Sequence, residues 1–318
     1  MTRQILALAG GVGGAKLALG LAGTLPHDAL TVAVNTADDF EHLGLSICPD
    51  LDTVMYTLAG VANPETGWGR RDETWTVMEA LGQIGGETWF RLGDKDLATH
   101  IERTRRLRGG ESLSSVMRDL AARLGVKSAM VPMSDDRVRT MVTTDQGELA
   151  FQDWFVRLRC EPVVKSVRFA GADKAKAHPT LLDTADLGGI VVCPSNPFVS
   201  VAPILAVPGV QAALAKTRAP KIAVTPIVGG QAIKGPAAKM LAELGHDVSA
   251  LGVARYYKEW VDGFMLDAQD ASLARDIEAL GLKVKVADTM MRNDADKRRV
   301  ARDVLDFVDD LAVSGRHS

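Results

Sequence analysis

Short apolar runs and helical patterns alternate at both ends of this chain. Residues 4–9 are apolar on both faces, as a buried parallel strand is, and a helical stretch at 15–22 separates them from a second such run at 30–35. The later apolar runs lie at 189–193, 221–225 and 283–287, and the later helical patterns at 209–216, 236–244 and 295–311. This alternation predicts an α/β fold with a Rossmann-like, doubly wound, mostly parallel sheet.

The interval 60–160 has a different pattern. Helices are predicted at 72–84, 94–108 and 112–124, begun by Asp72, Asp94 and Ser112. Strands at 138–144 and 148–157 follow, and Asp145-Gln-Gly147 between them is a hairpin signal. We therefore expect a core built from 1–60 and 160–318, with 60–160 as a mainly helical insertion and a β-hairpin that cover the ligand edge of the sheet.

Composition and charge narrow the range of partners. The 318 residues carry 37 basic and 40 acidic side chains, a net charge of −3, so the basic excess of a nucleic-acid-binding protein is missing. No run approaches the ~20 apolar residues of a membrane span. The cysteines at 48, 160 and 193 lie far apart, without disulfide or metal spacing. We expect a cytoplasmic protein that binds neither nucleic acid nor membrane.

A glycine-rich loop follows the first predicted strand. Gly10, Gly11, Gly13 and Gly14 precede Lys16 at the start of a helix, where free backbone N–H groups and the helix dipole favour an anion. The loop is not a dinucleotide fingerprint, because Lys16 replaces the third glycine, and it is not a Walker A motif, because no Gly-Lys-Ser/Thr is present. A plain tight turn is the alternative, but the pattern favours phosphate binding.

Acidic residues follow the second strand. Asp38 ends that strand, and Asp52 lies in a nearby segment, so the two could hold Mg²⁺ together with substrate phosphates. Asp50 is separated from Asp52 by Leu51, which predicts different directions, and Asp50 is better explained as a helix cap.

Four further features could either bind a ligand or have a purely structural role: one helix face, one tryptophan and two loops. His100 and Arg103 share a helix face, which suits an anionic substrate, and Trp154 is either a core residue or an aromatic surface beside a planar ligand. Two proline- and glycine-containing loops follow strands and could form one nucleotide pocket. Their candidate residues are Ser195, Asn196, Pro197, Gly229 and Gly235.

Several motifs together resemble the 2-phospho-L-lactate transferase family of coenzyme F-420 biosynthesis, in order over nearly the whole chain. They are Gly10-Gly-Val-Gly-Gly-Ala-Lys16, Asn35-Thr-Ala-Asp-Asp39, Pro49-Asp-Leu-Asp-Thr53, Leu92-Gly-Asp-Lys-Asp-Leu-Ala-Thr-His100, Pro132-Met-Ser-Asp-Asp136 and Pro194-Ser-Asn-Pro197. The glycine loop alone is less specific, because a family of sugar-nucleotide-binding morphogenesis regulators has a similar one.

The resemblance implies a Mg²⁺-dependent transferase. It would move a phospho-acid from a guanosine-diphospho donor to the deazaflavin FO, with release of GMP, and would be a homodimer. Asp38 and Asp52 match the metal carboxylates, and Asp52 and Arg91 match positions associated with the deazaflavin. We place His100 and Trp154 beside that acceptor, and Lys16 with the catalytic carboxylates. The glycine loop and 195–197 match the nucleotide pocket.

The sequence leaves three matters open. The carried acid could be 2-phospho-L-lactate, phosphoenolpyruvate or 3-phosphoglycerate, and no residue identifies the general base. The alternative function is a non-catalytic nucleotide-sugar-binding regulator, which would need neither Asp52 nor a deazaflavin. A dehydrogenase is disfavoured by Lys16 in the glycine loop.

Overall fold

A computed structural model describes residues 4–314, and the outermost bounds of the predicted core, 1 and 318, lie outside this range. In chain order the strands are β1 Gln4–Ala9, β2 Leu30–Val34, β3 Phe40–His42, β4 Leu45–Ile47, β5 Ala129–Pro132, β6 Arg139–Thr144, β7 Gly147–Ala150, β8 Val164–Ala170, β9 Leu187–Val192, β10 Lys221–Val224, β11 Ile227–Val228, β12 Gln231–Ala232, β13 Gly263–Asp267 and β14 Lys283–Ala287.

The α-helices in chain order are α1 Gly11–Ala22, α2 Pro49–Leu58, α3 Thr76–Gln83, α4 Asp94–Arg108, α5 Leu113–Arg123, α6 Pro179–Leu182, α7 Ala202–Ala206, α8 Val210–Lys216, α9 Ala237–Glu243, α10 Ala250–Tyr257, α11 Ala274–Glu278 and α12 Asp294–Ser314. Short 3₁₀ or π turns cover His27–Ala29, Asp153–Arg157, Ala172–Lys174, Pro197–Val201 and Ala268–Leu273.

Seven parallel strands form the central sheet, in the order β14-β13-β10-β9-β1-β2-β5. The chain winds outward from β1 through β2 to β5, and then in the other direction from β9 to β14. The order therefore reverses between β1 and β9, and in such sheets ligands bind outside the carboxyl ends of the strands at that point. The predicted α/β class and doubly wound sheet are confirmed.

Both faces of the sheet are buried, because side chains alternate along each strand. On β1, Leu6 and Leu8 pack into one core with α6–α11 and with the antiparallel sheet β7-β6-β8. Ile5 and Ala7 pack into the other core with α1, α2, α5 and α12. A smaller cluster, which includes Ile47, joins β4 to α3 and α4. The ligand edge is thereby held between two packed layers.

The interval 60–160 contains the three predicted helices and the hairpin turn at 145–147, but two details differ. The strand predicted at 148–157 ends at Ala150, and a π-helical turn follows that places Trp154 in the core. β5 was not predicted, yet it pairs with β2 in the central sheet. Where the core ends and an insertion begins stays a prediction.

The helix caps are exchanged between α3 and α4. Asp72 and Asp94 were predicted to begin α3 and α4; α4 does begin at Asp94, but α3 starts later, at Thr76. The Asp94 carboxylate accepts hydrogen bonds from the first amides of α3, at 3.1 Å each, while Glu73 accepts from the amides of Lys95 and Asp96 in α4. Each helix is therefore capped by an acid adjacent to the other. Ser112 caps α5 as predicted.

Within residues 4–314, no single helix is long and apolar enough to cross a membrane. One sharply bent pair, Pro197–Ala206 with Val210–Lys216, meets the length and composition requirement jointly.

Candidate active site

A cavity of about 740 Å³ opens at the carboxyl edge of the central sheet, where the strand order reverses. Most of the predicted site residues line it: Gly10, Gly11, Gly13, Lys16, Asp38, Asp52, Arg91, His100, Ser195, Asn196 and Gly235. Segments that are far apart in sequence thus meet at one place, as the parallel topology requires.

Four predicted residues do not line the cavity. Trp154 is completely buried, and its indole N–H donates to the carbonyl of Pro162, so its assignment to the deazaflavin site is corrected: it is a core residue. The adjacent Phe151 and Phe155 line the cavity instead. The remaining three are Gly14 in the first turn of α1, Pro197 at the start of a π-helical turn, and Gly229 in the turn between β11 and β12, and none of them lines the cavity.

The glycine loop packs tightly against the loop after β9. A Cβ atom at Gly13 would overlap the carbonyl oxygen of Pro194, and one at Gly14 would overlap the Ser195 hydroxyl. That hydroxyl accepts from the Gly10 amide at 3.1 Å and donates to the Gly10 carbonyl at 2.8 Å. The glycines are therefore required for contact between protein segments, in addition to any approach of a phosphate.

Asp50 reaches the start of α1. Asp50 was predicted to cap the helix that follows it, but the N-cap of α2 is Cys48. The Asp50 carboxylate instead accepts hydrogen bonds from the Gly11 amide of α1 at 2.8 Å and from Asn35 Nδ2 at 2.9 Å. The amides of Gly10 and Gly11 thus already have partners, and the next amides of the first turn, at Val12 and Gly13, are those left for a ligand. The sequence signal for this contact was weak, because it joins residues 39 positions apart.

The acids near this helix start are crowded and buried. Burial, followed by the neighbouring charge of Asp50, raises the pKa of Asp38 well above its usual value, and burial raises the pKa of Asp50 to about 6. Asp38 Oδ1 has no hydrogen-bond partner among the described residues. A proton on one of the two acids, or a cation bound between them, would relieve the repulsion of their charges.

Asp52 belongs to a second polar cluster. Arg103, fully buried, donates to both carboxylate oxygens of Asp52 at 2.6 and 2.9 Å, and to the carbonyl of Ser46. It also lies 2.7 Å from His100 Nδ1. Because a guanidinium only donates, Nδ1 must accept, which places the ring proton of His100 on Nε2.

The same cluster continues to Asp96 and Tyr56. His100 Nε2 lies 3.2 Å from Asp96 Oδ2, and the Tyr56 hydroxyl donates to Asp96 Oδ1 at 2.6 Å. The oxygen and nitrogen atoms of Asp52, Asp96 and His100 lie within 4.8 Å of one another, a spacing that could suit a metal. Arg103 occupies Nδ1 and supplies positive charge, whereas the buried Nε2 has no hydrogen-bond partner among the described residues. The helical spacing of 96, 100 and 103 was the available sequence signal.

The opposite side of the cavity is basic. Lys16 is half-buried, and no carboxylate in residues 4–314 forms an ion pair with it. Burial lowers its pKa, and the charges of Lys234 and Lys297 lower it further. Arg91, whose guanidinium stacks 4.3 Å from the Trp75 ring centre, lies with Phe90 on another wall. The cavity therefore offers an anion site, a carboxylate site and an apolar aromatic surface side by side.

A doubly wound fold with these three features at its switch point defines an α/β enzyme class that acts on phosphate-containing ligands. The chain belongs to the family described as 2-phospho-L-lactate transferase CofD, whose model matches residues 5–305. It is a transferase of that family.

Relatives cover almost the whole chain. A phosphoenolpyruvate transferase from Streptomyces griseus is 42% identical over 315 residues, which is 97% of this chain and 99% of the relative. A 2-phospho-L-lactate transferase from Methanosarcina acetivorans is 38% identical over 306 residues, 96% and 99% of the two chains. A solved structure of a UPF0052-family protein from Bacillus halodurans shares the fold, with a TM-score of 0.62 and 16% identity over 96% of this chain and 99% of that one.

Proposed function

We propose that this protein transfers a phospho-acid from a guanosine-diphospho donor to the deazaflavin FO, giving an F-420-0-type phosphodiester and GMP. The observation that carries the proposal is the single cavity in which the unpaired Lys16 and the free amides of α1 face the acids Asp38 and Asp50. At about 740 Å³, the cavity is large enough for a drug-sized ligand, and its aromatic wall suits a planar ring system.

The carried acid is proposed to be phosphoenolpyruvate. Relatives named phosphoenolpyruvate transferase are 39–42% identical to this chain, and relatives named 2-phospho-L-lactate transferase are 35–38% identical. Phosphoenolpyruvate, 2-phospho-L-lactate and 3-phosphoglycerate differ from one another by few atoms. A mass spectrum of the product must therefore distinguish which of the three acids is carried.

We further propose that Mg²⁺ binds at the acidic side. Asp38 fits this role, because it is buried, lines the cavity and has an open Oδ1. Asp52 is the second carboxylate expected there, and it lines the same cavity although Arg103 already holds both of its oxygens. A bound Mg²⁺ would neutralise charge between the carboxylates and the diphosphate.

The residues of the chain position the reactants. The amides of Val12 and Gly13 and the ammonium of Lys16 hold the diphosphate and stabilise the charge that grows on departing GMP. Arg91 and the aromatic wall hold the deazaflavin ring, so that the primary hydroxyl of its ribityl chain attacks the phosphorus that bears the acid. The new O–P bond forms as the P–O bond to GMP breaks, and this type of transfer depends mainly on positioning and charge.

Incubation with FO, Mg²⁺ and each guanylylated acid, followed by chromatography of GMP, tests the proposal. Asp38→Asn should abolish turnover while leaving the melting temperature close to that of the wild type. Asp52→Asn should also abolish turnover, but with a lowered melting temperature, because it leaves the buried Arg103 without its charged partner. A nucleotide-sugar-binding regulator would release no GMP with any donor. We also propose a cytoplasmic homodimer, as the family resemblance implies, and light scattering in solution tests the dimer.

A further inference from the structure

A loop at 63–69 lines part of the cavity and lies against Val12 of the glycine loop. It is closed on itself, since the Asn63 amide donates to the Gly69 carbonyl and the Gly67 amide donates to the Asn63 carbonyl. At Gly67, which has a φ of +79°, a Cβ would meet the side chain of Val12 at 2.6 Å. Trp68, half exposed, lines the cavity from this loop.

Lys234, which lies between β12 and α9, contacts this loop. Its ammonium donates to the carbonyls of Glu65 at 3.2 Å and of Thr66 at 2.7 Å, across more than 160 residues of sequence. An ammonium has three N–H donors, and these carbonyls use two of them. Among residues 4–314, no carboxylate forms an ion pair with Lys234, although it lines the cavity.

The cations of the cavity therefore lie together. Lys234 is close enough to Lys16 for their charges to oppose each other, and both adjoin the amides of the glycine loop. The acids Asp38, Asp50 and Asp52 already have partners or a proposed cation. Two unpaired lysines beside free helix amides form a site for a multiply charged anion rather than for a neutral group.

We propose that Lys234 is a second anion-binding residue, which contacts the diphosphate of the nucleotide donor and holds the 63–69 loop over it. This inference rests on the proposed function and adds to it a residue and a coupling. Because the same ammonium contacts the loop carbonyls and the ligand, binding of a nucleoside diphosphate should fix the loop that carries Trp68 beside the acceptor.

Isothermal titration with GDP in buffer that contains Mg²⁺ tests the contact. Lys234→Met should weaken GDP binding about tenfold or more, the loss expected for a charge-assisted hydrogen bond. Binding of guanosine, which has no phosphate, should stay within about twofold. Lys216→Met removes a charge from an exposed position at the end of α8 and serves as the matched control, with unchanged binding of both ligands.

Tryptophan emission tests the coupling to the loop. GDP should change the emission of the wild type, and Trp68→Phe and Lys234→Met should each remove that change. Equal GDP affinity in Lys234→Met and in the wild type would overturn this inference while leaving the proposed function intact. An equal loss for guanosine and GDP would assign Lys234 a structural role only and would also overturn it. Failure of the wild type to bind GDP would refute the proposed donor together with the role of Lys234.

Discussion

Replacement of Arg103 by methionine should destabilise the protein by about 4 kcal/mol. The substitution removes the only cation that contacts the buried Asp52 carboxylate among the described residues, together with the donors to the Ser46 carbonyl and to His100. Burial alone would lower the pKa of Arg103, but the adjacent charge of Asp52 outweighs it and raises that pKa, so the guanidinium stays charged. Breaking a buried ion pair by removing one partner costs roughly 3–5 kcal/mol.

Urea unfolding of the wild type and the variant measures this difference as a change in midpoint at constant slope. Arg105→Met is the matched control, because Arg105 lies on the same helix and pairs with Glu102, but both side chains are largely exposed. Its cost should be below about 1 kcal/mol. Asp52→Leu combined with Arg103→Met removes both charges and should recover at least half of the loss. A cost for Arg103→Met close to that of Arg105→Met would refute this account of the cluster.

Three further outcomes follow. Burial raises the pKa of Asp39 to about 7, so stability of the metal-free protein should fall as pH rises from about 4 to 7, and Asp39→Asn should flatten that fall in urea titrations at several pH values. Gly13→Ala should cost roughly 1–3 kcal/mol in thermal melts through overlap with Pro194, whereas Gly82→Ala in α3 should be neutral or stabilising. Burial raises the pKa of the Cys193 thiol to about 12, so a thiol reagent should label it only after unfolding.

The architecture was largely predictable from the sequence, because both ends of the chain have strong periodicity. The bounds of α4 and β14 agree with those predicted, and the glycine loop lies at the predicted strand–helix junction. β5 was missed because four residues that end in proline give little periodic signal. Trp154 was misplaced because apolar residues at 151, 154 and 155 suit either a strand or a tight helical turn, and only packing against the core decides between them.

The candidate site was predictable in composition but not in its contacts. Residue type and position at the sheet edge were enough to assign Lys16, Asp38 and Asp52 to one cavity. The partners of these residues were not predictable, because a hydrogen bond between Asp50 and Gly11, or between Asp52 and Arg103, depends on how distant helices pack. The residues adjacent to each partner in the sequence contain no information on how far apart the two helices lie in the fold.

The exchanged caps of α3 and α4 change how the Leu-Gly-Asp motif at 92–94 should be interpreted across the family. A Cβ at Gly93 would overlap the Glu73 carboxylate, and Asp94 is bound to the neighbouring helix, so both residues shape a corner in this chain. A homologue could therefore keep this motif intact after losing its chemistry, and the presence of the motif alone is a poor criterion for assigning enzymes in newly sequenced genomes.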